Sequence, residues 1–390
     1  MNGINVHIYP SPFTNESRRL KITASLAKAG IFDSICCIAF WEEGLDERET
    51  LDDTRQVWRL RHGNWRPQSG LLSKVFGLVQ WMWRIILVLR NEEIVCLNCH
   101  HVVLLPLCVF LKWTHKCALI YDAHELETER AGLVGVRKML AKRLERLCVR
   151  YVDQTVVVSE SIAVWYRNTY GLNAVHVVRN VPYNKQIAHG DRLLLKKRFS
   201  IPDRHLLFIY QGAIGEGRGI RLLLNAFARL DPDKHVIFMG YGEQVDLVRE
   251  YAERYPNIHF TPAVPPDRVQ AYTAGADVGL SLIEDICLSY HFCLPNKLFE
   301  YILCGLPVVV SDLPEMVRII DEHQCGWKVA ATEDNVVELI QKMSPADVWN
   351  KAEYARACCH EFGWDKEEKV LLKMYRELFP ERDSVGMAPG

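Results

Sequence analysis

The amino-acid sequence predicts an α/β protein built from two Rossmann-like, doubly wound domains. Short apolar segments of strand length alternate with longer amphipathic segments through residues 5–178, and the same alternation restarts at residue 206 and runs to residue 310. Between these parts, over residues 184–202, the hydrophobic periodicity fades and polar residues dominate, as in an interdomain linker. A chain of 390 residues is long enough for two or three domains, each with its own core.

These patterns predict the domain boundaries. We expect an N-terminal domain over residues 1–182, a linker with a short helix over residues 183–203, and a second domain over residues 204–361. A last helix at residues 362–380 precedes a tail, residues 381–390, that we expect to be disordered.

The bulk composition argues against some classes of partner. Lys and Arg number 47 against 48 Asp and Glu, so the net charge of −1 gives no reason to expect nucleic acid as a partner. The 13 cysteines follow no regular spacing and the first residues are strand-like rather than a secretory signal, which favours a reducing, cytoplasmic setting. We expect no membrane span, since the apolar run at residues 102–111 is too short and ends at Lys112.

The first domain opens with a strand at residues 5–9, a loop at residues 10–15 and a helix at residues 16–29. Gly30 ends that helix, and a second strand follows at residues 35–40. The loop lacks the Gly-x-Gly-x-x-Gly pattern of dinucleotide-binding proteins. The order of strand, loop and helix is nevertheless typical of a Rossmann-like domain.

The segment over residues 71–90 is predicted to be a helix that is apolar on nearly all sides, with Trp81 and Trp83 among its side chains. A helix of this kind has to be covered by something. Two interpretations remain open: the helix is wedged against the sheet and its neighbours, or one of its faces dips into a bilayer.

Cysteine and histidine residues cluster at the next predicted strand, residues 93–99. The run Cys96-x-x-Cys99-His100-His101 contains the ligand types of a zinc site. The alternation of side chains along a strand points the two cysteines to opposite faces, however, so we expect no metal there.

A strand at residues 118–121 is followed directly by Asp122-Ala-His124-Glu125. Open α/β sheets bind their ligands at the carboxyl ends of such strands. His124 is therefore a candidate for the catalytic centre. The alternative is that it caps the following helix, with Glu125 and Glu127 as acidic partners of that helix's first turn.

Residues 136–151 are predicted to form an amphipathic helix whose apolar side is surrounded by positive charge. The apolar side chains are Met139, Leu140, Leu144 and Leu147, and the cations are Arg137, Lys138, Lys142, Arg143, Arg146 and Arg150. The cations form either a solvated face or a surface attracted to anionic lipid headgroups, at about 1 kcal/mol for each basic group near such a surface. Strands at residues 155–158 and 175–178 complete the domain.

The second domain begins with a strand at residues 206–210 and a glycine-rich loop that leads into a helix at residues 220–230. The loop contains Gly212, Gly215, Gly217, Arg218 and Gly219. Closely spaced glycines let the backbone approach a diphosphate, and an arginine neutralises its charge. Further strands are predicted at residues 236–239, 258–260 and 276–282, with a glycine turn at Gly240 and Gly242 and a short helix at residues 267–274.

The most informative stretch is residues 289–314, which predicts a loop, a helix, a tight turn and a buried strand. Pro295 favours the helix start, Gly305 its end in a left-handed conformation, and Pro307 prevents its continuation. The valines at residues 308–310 are typical of a parallel strand covered on both faces.

The start of that helix has the features of a phosphate site. Free backbone N–H groups and the positive end of the helix dipole face whatever precedes Pro295. Lys297 adds a cation in the first turn, and Glu300 can accept hydrogen bonds from sugar hydroxyls one turn later.

The string Pro-Asn-Lys-Leu-Phe-Glu-Tyr at residues 295–301, followed by Gly-Leu-Pro-Val-Val, resembles the donor-binding signature of the retaining glycosyltransferases of family 4, also called glycosyl transferases group 1. Tyr-Asp-Ala-His-Glu at residues 121–125 resembles the place where that family holds a histidine beside the donor sugar. The resemblance implies the GT-B architecture, in which two Rossmann-like domains face each other across a cleft and the C-terminal helix crosses back to the N-terminal domain.

The resemblance also implies roles for individual residues. The implied catalytic residues are His124, Arg218 and Lys297. The implied donor-binding residues are Gly212, Gly217, Gly219, Gly240, Gly242, Leu294, Pro295, Asn296 and Glu300, of which Glu300 holds the ribose. The acceptor-side loop offers Ser11, Thr14 and Asn15 where many family members have glycines. The sequence departs from the family at Phe292, which replaces the first of two glutamates, and at Ala213, which replaces a donor cation.

The activity that the resemblance implies is the transfer of a sugar from a nucleotide diphospho-sugar, with UDP preferred, to a glycan or lipid-linked acceptor, with retention and without metal or cofactor. Peripheral contact with the cytoplasmic face of a membrane follows from the apolar helix, the basic helix and the family analogy. Two alternatives remain: another GT-B enzyme, such as a sugar epimerase or a glycan phosphorylase, or a catalytically degenerate, membrane-associated interaction protein, to which Phe292 and Ala213 point.

Overall fold

The computed structural model describes residues 3–14, 16–61, 71–184 and 193–380. The chain forms two compact units. Unit 1 consists of the chain up to Val178 together with the residues from Glu367 onward, and unit 2 is Arg179–Lys366. The predicted linker lies partly, and the predicted disordered tail wholly, outside the described residues.

The strands of unit 1 are β1 (Ile4–Ile8), β2 (Ser34–Phe40), β3 (Arg48–Thr50), β4 (Arg55–Leu60), β5 (Ile94–Cys99), β6 (Ala118–Asp122), β7 (Gln154–Val157) and β8 (Val175–Val177). Those of unit 2 are β9 (Leu206–Ala213), β10 (Lys234–Tyr241), β11 (Ile258–Pro262), β12 (Val278–Ser281), β13 (Val308–Ser311) and β14 (Gly326–Val329).

The helices up to residue 227 are α1 (Ser17–Lys28), α2 (Leu71–Leu89), α3 (Leu105–His115), α4 (Gly135–Cys148), α5 (Glu160–Tyr170), α6 (Leu194–Arg198) and α7 (Ile220–Phe227). The later ones are α8 (Val245–Arg254), α9 (Pro266–Thr273), α10 (Leu288–His291), α11 (Asn296–Leu303), α12 (Pro314–His323), α13 (Glu333–Lys342), α14 (Pro345–Cys358) and α15 (Trp364–Leu378). Most predicted elements are present within a few residues of their predicted ends.

The sheet of unit 1 has the strand order β3-β4-β2-β1-β5-β6-β7-β8 and is parallel except for the β3–β4 hairpin. The sequence analysis missed this hairpin, because its two short strands carry charged and exposed side chains rather than an apolar run. The steps from β4 to β5, from β5 to β6 and from β6 to β7 all move towards the same edge. Right-handed crossovers therefore place α2, α3 and α4 on one face of the sheet and α1, which joins β1 to β2, on the other.

The last helix, α15, packs into unit 1. The Tyr375 hydroxyl donates a hydrogen bond to Oδ1 of Asn98 on β5 over 2.6 Å, and its ring meets the ring of Phe32 edge to face. Leu371 and Met374 are buried on the same side of the helix. The end of the chain thus completes the core of the unit in which the chain begins.

The sheet of unit 2 has the strand order β11-β10-β9-β12-β13-β14, and the pairs are parallel. From β9 the chain winds outward to β11, and from β12 it winds outward in the opposite direction to β14. The direction changes between β9 and β12, which is the place where open α/β sheets bind ligands.

Helices α2 and α4 of unit 1 each expose several apolar side chains. Residues Phe76, Val79, Trp83 and Leu87 of α2 are exposed, whereas Trp81, Ile85 and Leu89 are buried. The apolar residues Val136, Met139, Leu140 and Leu147 of α4 are also exposed. Within the described residues no helix is both long and apolar enough to cross a membrane.

Candidate active site

The residues predicted to bind the donor gather at the switch point of unit 2. The glycine-rich loop follows β9, the loop after β12 begins at Leu282, and α11 starts nearby. The side chain of Tyr301 joins the two strands beneath this point: its hydroxyl accepts from the Gln211 N–H over 3.0 Å and donates to the Leu280 carbonyl over 3.2 Å. The Tyr301 hydroxyl therefore connects β9 and β12 by hydrogen bonds beneath the site.

The glycine-rich loop has the backbone conformation that its glycines permit. Gly212, Gly217 and Gly219 have φ values of 108°, 71° and 70°, in the left-handed region. A Cβ at Gly217 would lie 2.5 Å from the Tyr290 ring. The Gly219 N–H donates to Oε1 of Glu284 over 3.2 Å, so the loop after β12 holds the glycine-rich loop in place.

Gly240 and Gly242 have a role within the protein. A Cβ at Gly240 would collide with the carbonyl of Gly212, and one at Gly242 with the carbonyl of Ile214. These glycines let the end of β10 approach the glycine-rich loop closely. Their proximity to a nucleotide remains a prediction.

The start of α11 differs slightly from the prediction. Pro295 is the N-cap and Asn296 the first helical residue, whereas the sequence predicted Pro295 as the residue that opens the helix. Leu294 is buried and Asn296 is exposed. A proline side chain has no acceptor, so it cannot cap the N–H groups of the first turn of α11.

Lys297 is a buried cation. Its ammonium nitrogen lies 3.7 Å from the centroid of the Tyr210 ring and has no hydrogen-bond partner in the described part of the chain. Burial, and after it the charge of the Arg218 guanidinium, lower the pKa of Lys297 to about 7, against the opposing charge of Glu300. A bound anion beside this amine would raise its pKa again and keep it protonated.

Glu300 is held by Gln211, a residue that the sequence analysis missed. The Gln211 amide donates to the Glu300 carboxylate, and its own oxygen accepts from the Thr273 hydroxyl over 2.5 Å. The position of Gln211 on β9, immediately before Gly212, is the signal that could have found it. Arg218 lies with its guanidinium carbon 5.3 Å from the Tyr290 ring centroid.

No carboxylate stands at position 292, but two acidic residues follow β12. Oδ2 of Asp285 lies 2.9 Å from Nδ1 of His291, whose ring contacts Phe292 at a centroid distance of 5.0 Å. Glu284 is the partner of the glycine-rich loop described above. The segment after β12 therefore carries the carboxylates of Glu284 and Asp285, although the family glutamate is replaced by Phe292.

In unit 1, His124 follows β6 as predicted and does not cap a helix: the next helical turn, Glu127–Glu129, has Leu126 at its N-cap. Nδ1 of His124 lies 3.4 Å from the Asp122 carbonyl oxygen. Desolvation lowers the pKa of His124 to about 3, against the opposing charge of Asp122. The imidazole is neutral at pH 7, with Nε2 as a hydrogen-bond acceptor when Nδ1–H donates to the carbonyl.

A buried polar chain supports this strand end. Nδ1 of His100 lies 3.1 Å from Asp122 and its Nε2 lies 2.9 Å from Nδ1 of His7, while Arg18 binds Asp122 through its Nε and Nη2 atoms. Burial opposes ionisation of Asp122, but the charge of Arg18 and the hydrogen bond from His100 hold its pKa well below the usual value. The network ties together the carboxyl ends of β1, β5 and β6.

Glu127 lies in the first turn of the short helix Glu127–Glu129, as the alternative interpretation of this segment expected. It is buried, and its carboxylate lies 3.2 Å from Nε2 of His101. Desolvation raises the pKa of Glu127 to about 8. Glu125 and Glu127 both pair with Arg130, over 3.3 Å and 3.5 Å.

Hydrogen bonds of Ser11 to nearby residues hold the predicted acceptor-side loop. The Ser11 hydroxyl donates to Glu16 over 2.5 Å and accepts from the Phe13 N–H over 3.3 Å. Phe13 has a φ of 63°, an uncommon value for a residue other than glycine, and its side chain is buried. Thr14 is exposed, and Asn15 lies outside the described residues.

The cysteine and histidine cluster serves the core. Cys96 and Cys99 are buried on β5, and His100 is committed to His7 and Asp122. In the described ranges no group of three or more His, Cys, Asp or Glu side chains could hold a metal ion.

Comparisons with known proteins identify the family and the fold of this chain. Residues 21–181 match the family model described as Glycosyltransferase Family 4, and residues 205–345 match the model described as Glycosyl transferases group 1. The two matches together cover most of the chain and both candidate sites. No curated protein matches the sequence significantly.

Solved structures share the fold over nearly the whole chain. A sucrose-phosphate synthase from Thermosynechococcus elongatus has a TM-score of 0.78 at 14% identity and covers 97% of this chain and 100% of its own. HepE from Anabaena in complex with UDP-glucose has a TM-score of 0.72 at 12% identity, covering 96% and 99%. WaaG, a glycosyltransferase involved in lipopolysaccharide biosynthesis, has a TM-score of 0.68 at 15% identity, covering 96% and 98%. The predicted architecture of two Rossmann-like domains is confirmed.

Proposed function

We propose, from the premise that this chain belongs to the GT-B glycosyltransferases of family 4 and group 1, that it transfers a sugar from a nucleotide diphospho-sugar to a hydroxyl of a glycan or lipid-linked acceptor. The sugar is of hexosyl or N-acetylhexosaminyl type and keeps its anomeric configuration. The product belongs to a surface polysaccharide or glycoconjugate. The protein is peripheral at the cytoplasmic face of a membrane.

The single observation that carries this proposal is the state of Lys297. A buried ammonium group without a hydrogen-bond partner among the described residues is costly, and here it lies near Arg218 at the start of a helix. A diphosphate would supply the missing anion to both cations and to the free N–H groups of α11. The burial of Lys297 thus supports a donor diphosphate at this point.

The same groups support the proposed chemistry. When the bond from the anomeric carbon to the diphosphate oxygen breaks, negative charge develops on the diphosphate, and Arg218, Lys297 and the α11 N–H groups stabilise it. The acceptor oxygen bonds to the anomeric carbon, and its proton passes to the departing diphosphate. Neutral His124 orients a sugar hydroxyl by hydrogen bonding. No step calls for a metal ion, so turnover in excess EDTA should equal turnover without it.

Glu300 would bind the ribose hydroxyls of the donor, oriented by Gln211. Uridine is the preferred base, since HepE, which shares the fold, was crystallised with UDP-glucose. A lipid-linked acceptor is supported by the exposed apolar side chains of α2 and α4.

The donor site is tested by calorimetric and thermal-shift titration with UDP, GDP, ADP and TDP. We expect one nucleotide, UDP, to stabilise the wild type, and Glu300→Ala to weaken its binding by about 1.5–3 kcal/mol, which is roughly 10- to 150-fold, because a charge-assisted hydrogen bond is lost. Glu338→Ala is the matched control, since Glu338 pairs with Lys342 on the surface of α13. Its affinity for UDP should equal that of the wild type.

Failure to bind any of the four nucleotides in a well-folded sample would refute the donor site. Binding without turnover of any nucleotide sugar, with membrane lipid extract as the acceptor source, would instead favour a catalytically degenerate binding protein. Phe292, in place of a family glutamate, is the observation that keeps this second function in view.

A further inference from the structure

Helix α4 exposes apolar side chains to solvent and buries an acidic one, the reverse of an ordinary amphipathic helix. Its apolar residues Val136, Leu140 and Leu147 face solvent, and Leu140 is 56% exposed. Its fully buried residue is an acid, Glu145, at 0% exposure. The helix therefore leaves outside the side chains that usually anchor a helix to the core.

The cause is a set of hydroxyl groups under the helix. The Glu145 carboxylate accepts hydrogen bonds from Tyr121 over 3.0 Å, Tyr166 over 2.8 Å, Tyr170 over 2.7 Å and Thr128 over 3.0 Å. Four donors converge on one carboxylate, so the rotation of α4 about its axis is fixed by polar contacts. The exposure of its apolar side is a built feature of the fold.

Helix α3 continues the apolar surface beside α4. Trp113 is 59% exposed and meets the Tyr151 ring, which follows α4, edge to face at 5.1 Å. Lys112 binds the Tyr151 carbonyl over 2.9 Å, which fixes the two helices together. Phe110 is exposed on the same helix.

Helix α2 lies on the same face of the sheet as α3 and α4, by the right-handed crossovers described above. Its exposed residues Phe76, Val79, Trp83 and Leu87 recur every three or four positions and so form one stripe. Trp83 is 60% exposed. We call the outward sides of these three helices the α2–α4 face.

Positive charge accompanies the apolar side chains. Arg137, Arg143 and Arg150 are exposed on or just after α4. Lys138 and Lys142 both pair with Glu129. A shallow cavity of about 420 Å³ on this helix is lined by Gly135, Lys138, Met139, Lys142, Arg143 and Arg146. An anionic headgroup fits a cavity with four cations and one flexible apolar side chain.

We propose that the α2–α4 face docks on a bilayer of anionic phospholipid, with the aromatic and aliphatic side chains entering the headgroup boundary and the α4 cations binding lipid phosphates. Tryptophan and aliphatic side chains suit the boundary between headgroups and acyl chains, and arginine suits the anionic headgroups. A symmetric contact with a second copy is disfavoured, because it would place these cations against themselves. The proposal gives the proposed function its membrane contact but does not depend on donor binding.

The test is flotation of the full chain with phosphatidylcholine vesicles, with and without 30% phosphatidylglycerol. We expect the wild type to bind the anionic vesicles at least tenfold more tightly than the neutral ones. The charge reversals Arg137→Glu and Arg143→Glu, made together, should cut anionic binding by at least tenfold, and so should Trp83→Ser with Leu140→Ser. Lys373→Glu is the matched control: Lys373 is exposed on α15, and α15 packs on the other side of unit 1 against Phe32, just after α1.

All variants should keep the wild-type affinity for UDP and the wild-type far-ultraviolet circular dichroism. The proposal would be overturned if the wild type bound neutral and anionic vesicles equally. It would also be overturned if the Arg137→Glu, Arg143→Glu variant bound anionic vesicles as tightly as the wild type. A wild type that sediments as a dimer and becomes monomeric in the Trp83→Ser, Leu140→Ser variant would overturn it as well, since that result assigns the face to a second copy. If the wild type does not bind UDP, the donor site is refuted. The membrane proposal is not affected by that result, because flotation is carried out without nucleotide.

Discussion

The residue with the most informative environment is Lys297, because its protonation is coupled to what it binds. In the free protein burial, aided by Arg218, lowers its pKa to about 7, so above this pH the amine is mostly neutral. A bound diphosphate would raise the pKa again, and the complex would take up a proton. The affinity for UDP should therefore be full below about pH 7. It should then fall by up to tenfold per pH unit above it, until the raised pKa of the complex is reached.

Calorimetry between pH 7 and 9 tests this prediction, since proton uptake makes the binding enthalpy depend on the ionisation enthalpy of the buffer. Lys297→Arg is the control, because a guanidinium group stays protonated over this range and should flatten the pH profile. A profile that is equally steep in the arginine variant would show that another group titrates.

At the scale of single elements, α4 tests how a buried acid sets the orientation of a helix. Glu145→Ala leaves four hydroxyl groups without their shared acceptor, and each unsatisfied buried donor costs about 1–3 kcal/mol when it finds no other partner. We expect the free energy of unfolding to fall by about 3–5 kcal/mol in urea titration. Arg143→Ala, on the exposed side of the same helix, should change it by less than about 0.5 kcal/mol.

A Glu145→Ala protein as stable as Arg143→Ala would mean that the hydroxyls repair their hydrogen bonds elsewhere. Glu145→Gln is an intermediate case, because the amide oxygen still accepts some of the four hydrogen bonds. Its stability should lie between those of the wild type and the alanine variant.

The elements also show which features of the molecule can be predicted from sequence. The β9 loop, α11 and β13 follow from local signals: glycines that need a left-handed backbone, a proline before a helix and a run of valines. Both model matches confirm the family resemblance, and its assignment of Lys297 and Glu300 to the donor site stays a prediction. The orientation of α4, by contrast, does not follow from its amphipathic pattern, because the partners of Glu145 come from β6, α5 and the turn at Thr128.

Contacts between distant positions explain the other omissions. Gln211 orients Glu300 from 89 positions away, and His7 reaches His100 across 93 positions. In the sequence, Gln211 and His7 look like ordinary residues of predicted strands. Only the fold shows that their polar atoms meet at the carboxyl ends of parallel strands.

For the whole molecule, the division into two units separates donor binding from the end of the chain. The predicted donor residues Arg218, Lys297 and Glu300 lie in unit 2, whereas α15 from Glu367 onward belongs to unit 1. A stop codon after Lys366 removes Leu371, Met374 and Tyr375, which are almost fully buried. The loss of side chains of this size costs about 2–5 kcal/mol each, which together exceeds the stability of a typical domain.

We therefore expect unit 1 of the truncated protein to lose its protection from amide hydrogen exchange, while unit 2 keeps its protection and binds UDP within about threefold of the wild-type affinity. Tyr375→Phe is the graded control: it loses the hydrogen bond to Asn98, which is worth about 1 kcal/mol, and should lower the stability of unit 1 alone. If the amides of unit 1 stay protected from hydrogen exchange after the truncation, α15 is not a necessary part of the core of unit 1. UDP binding that disappears while the unit 2 amides stay protected would refute the assignment of donor binding to unit 2 alone.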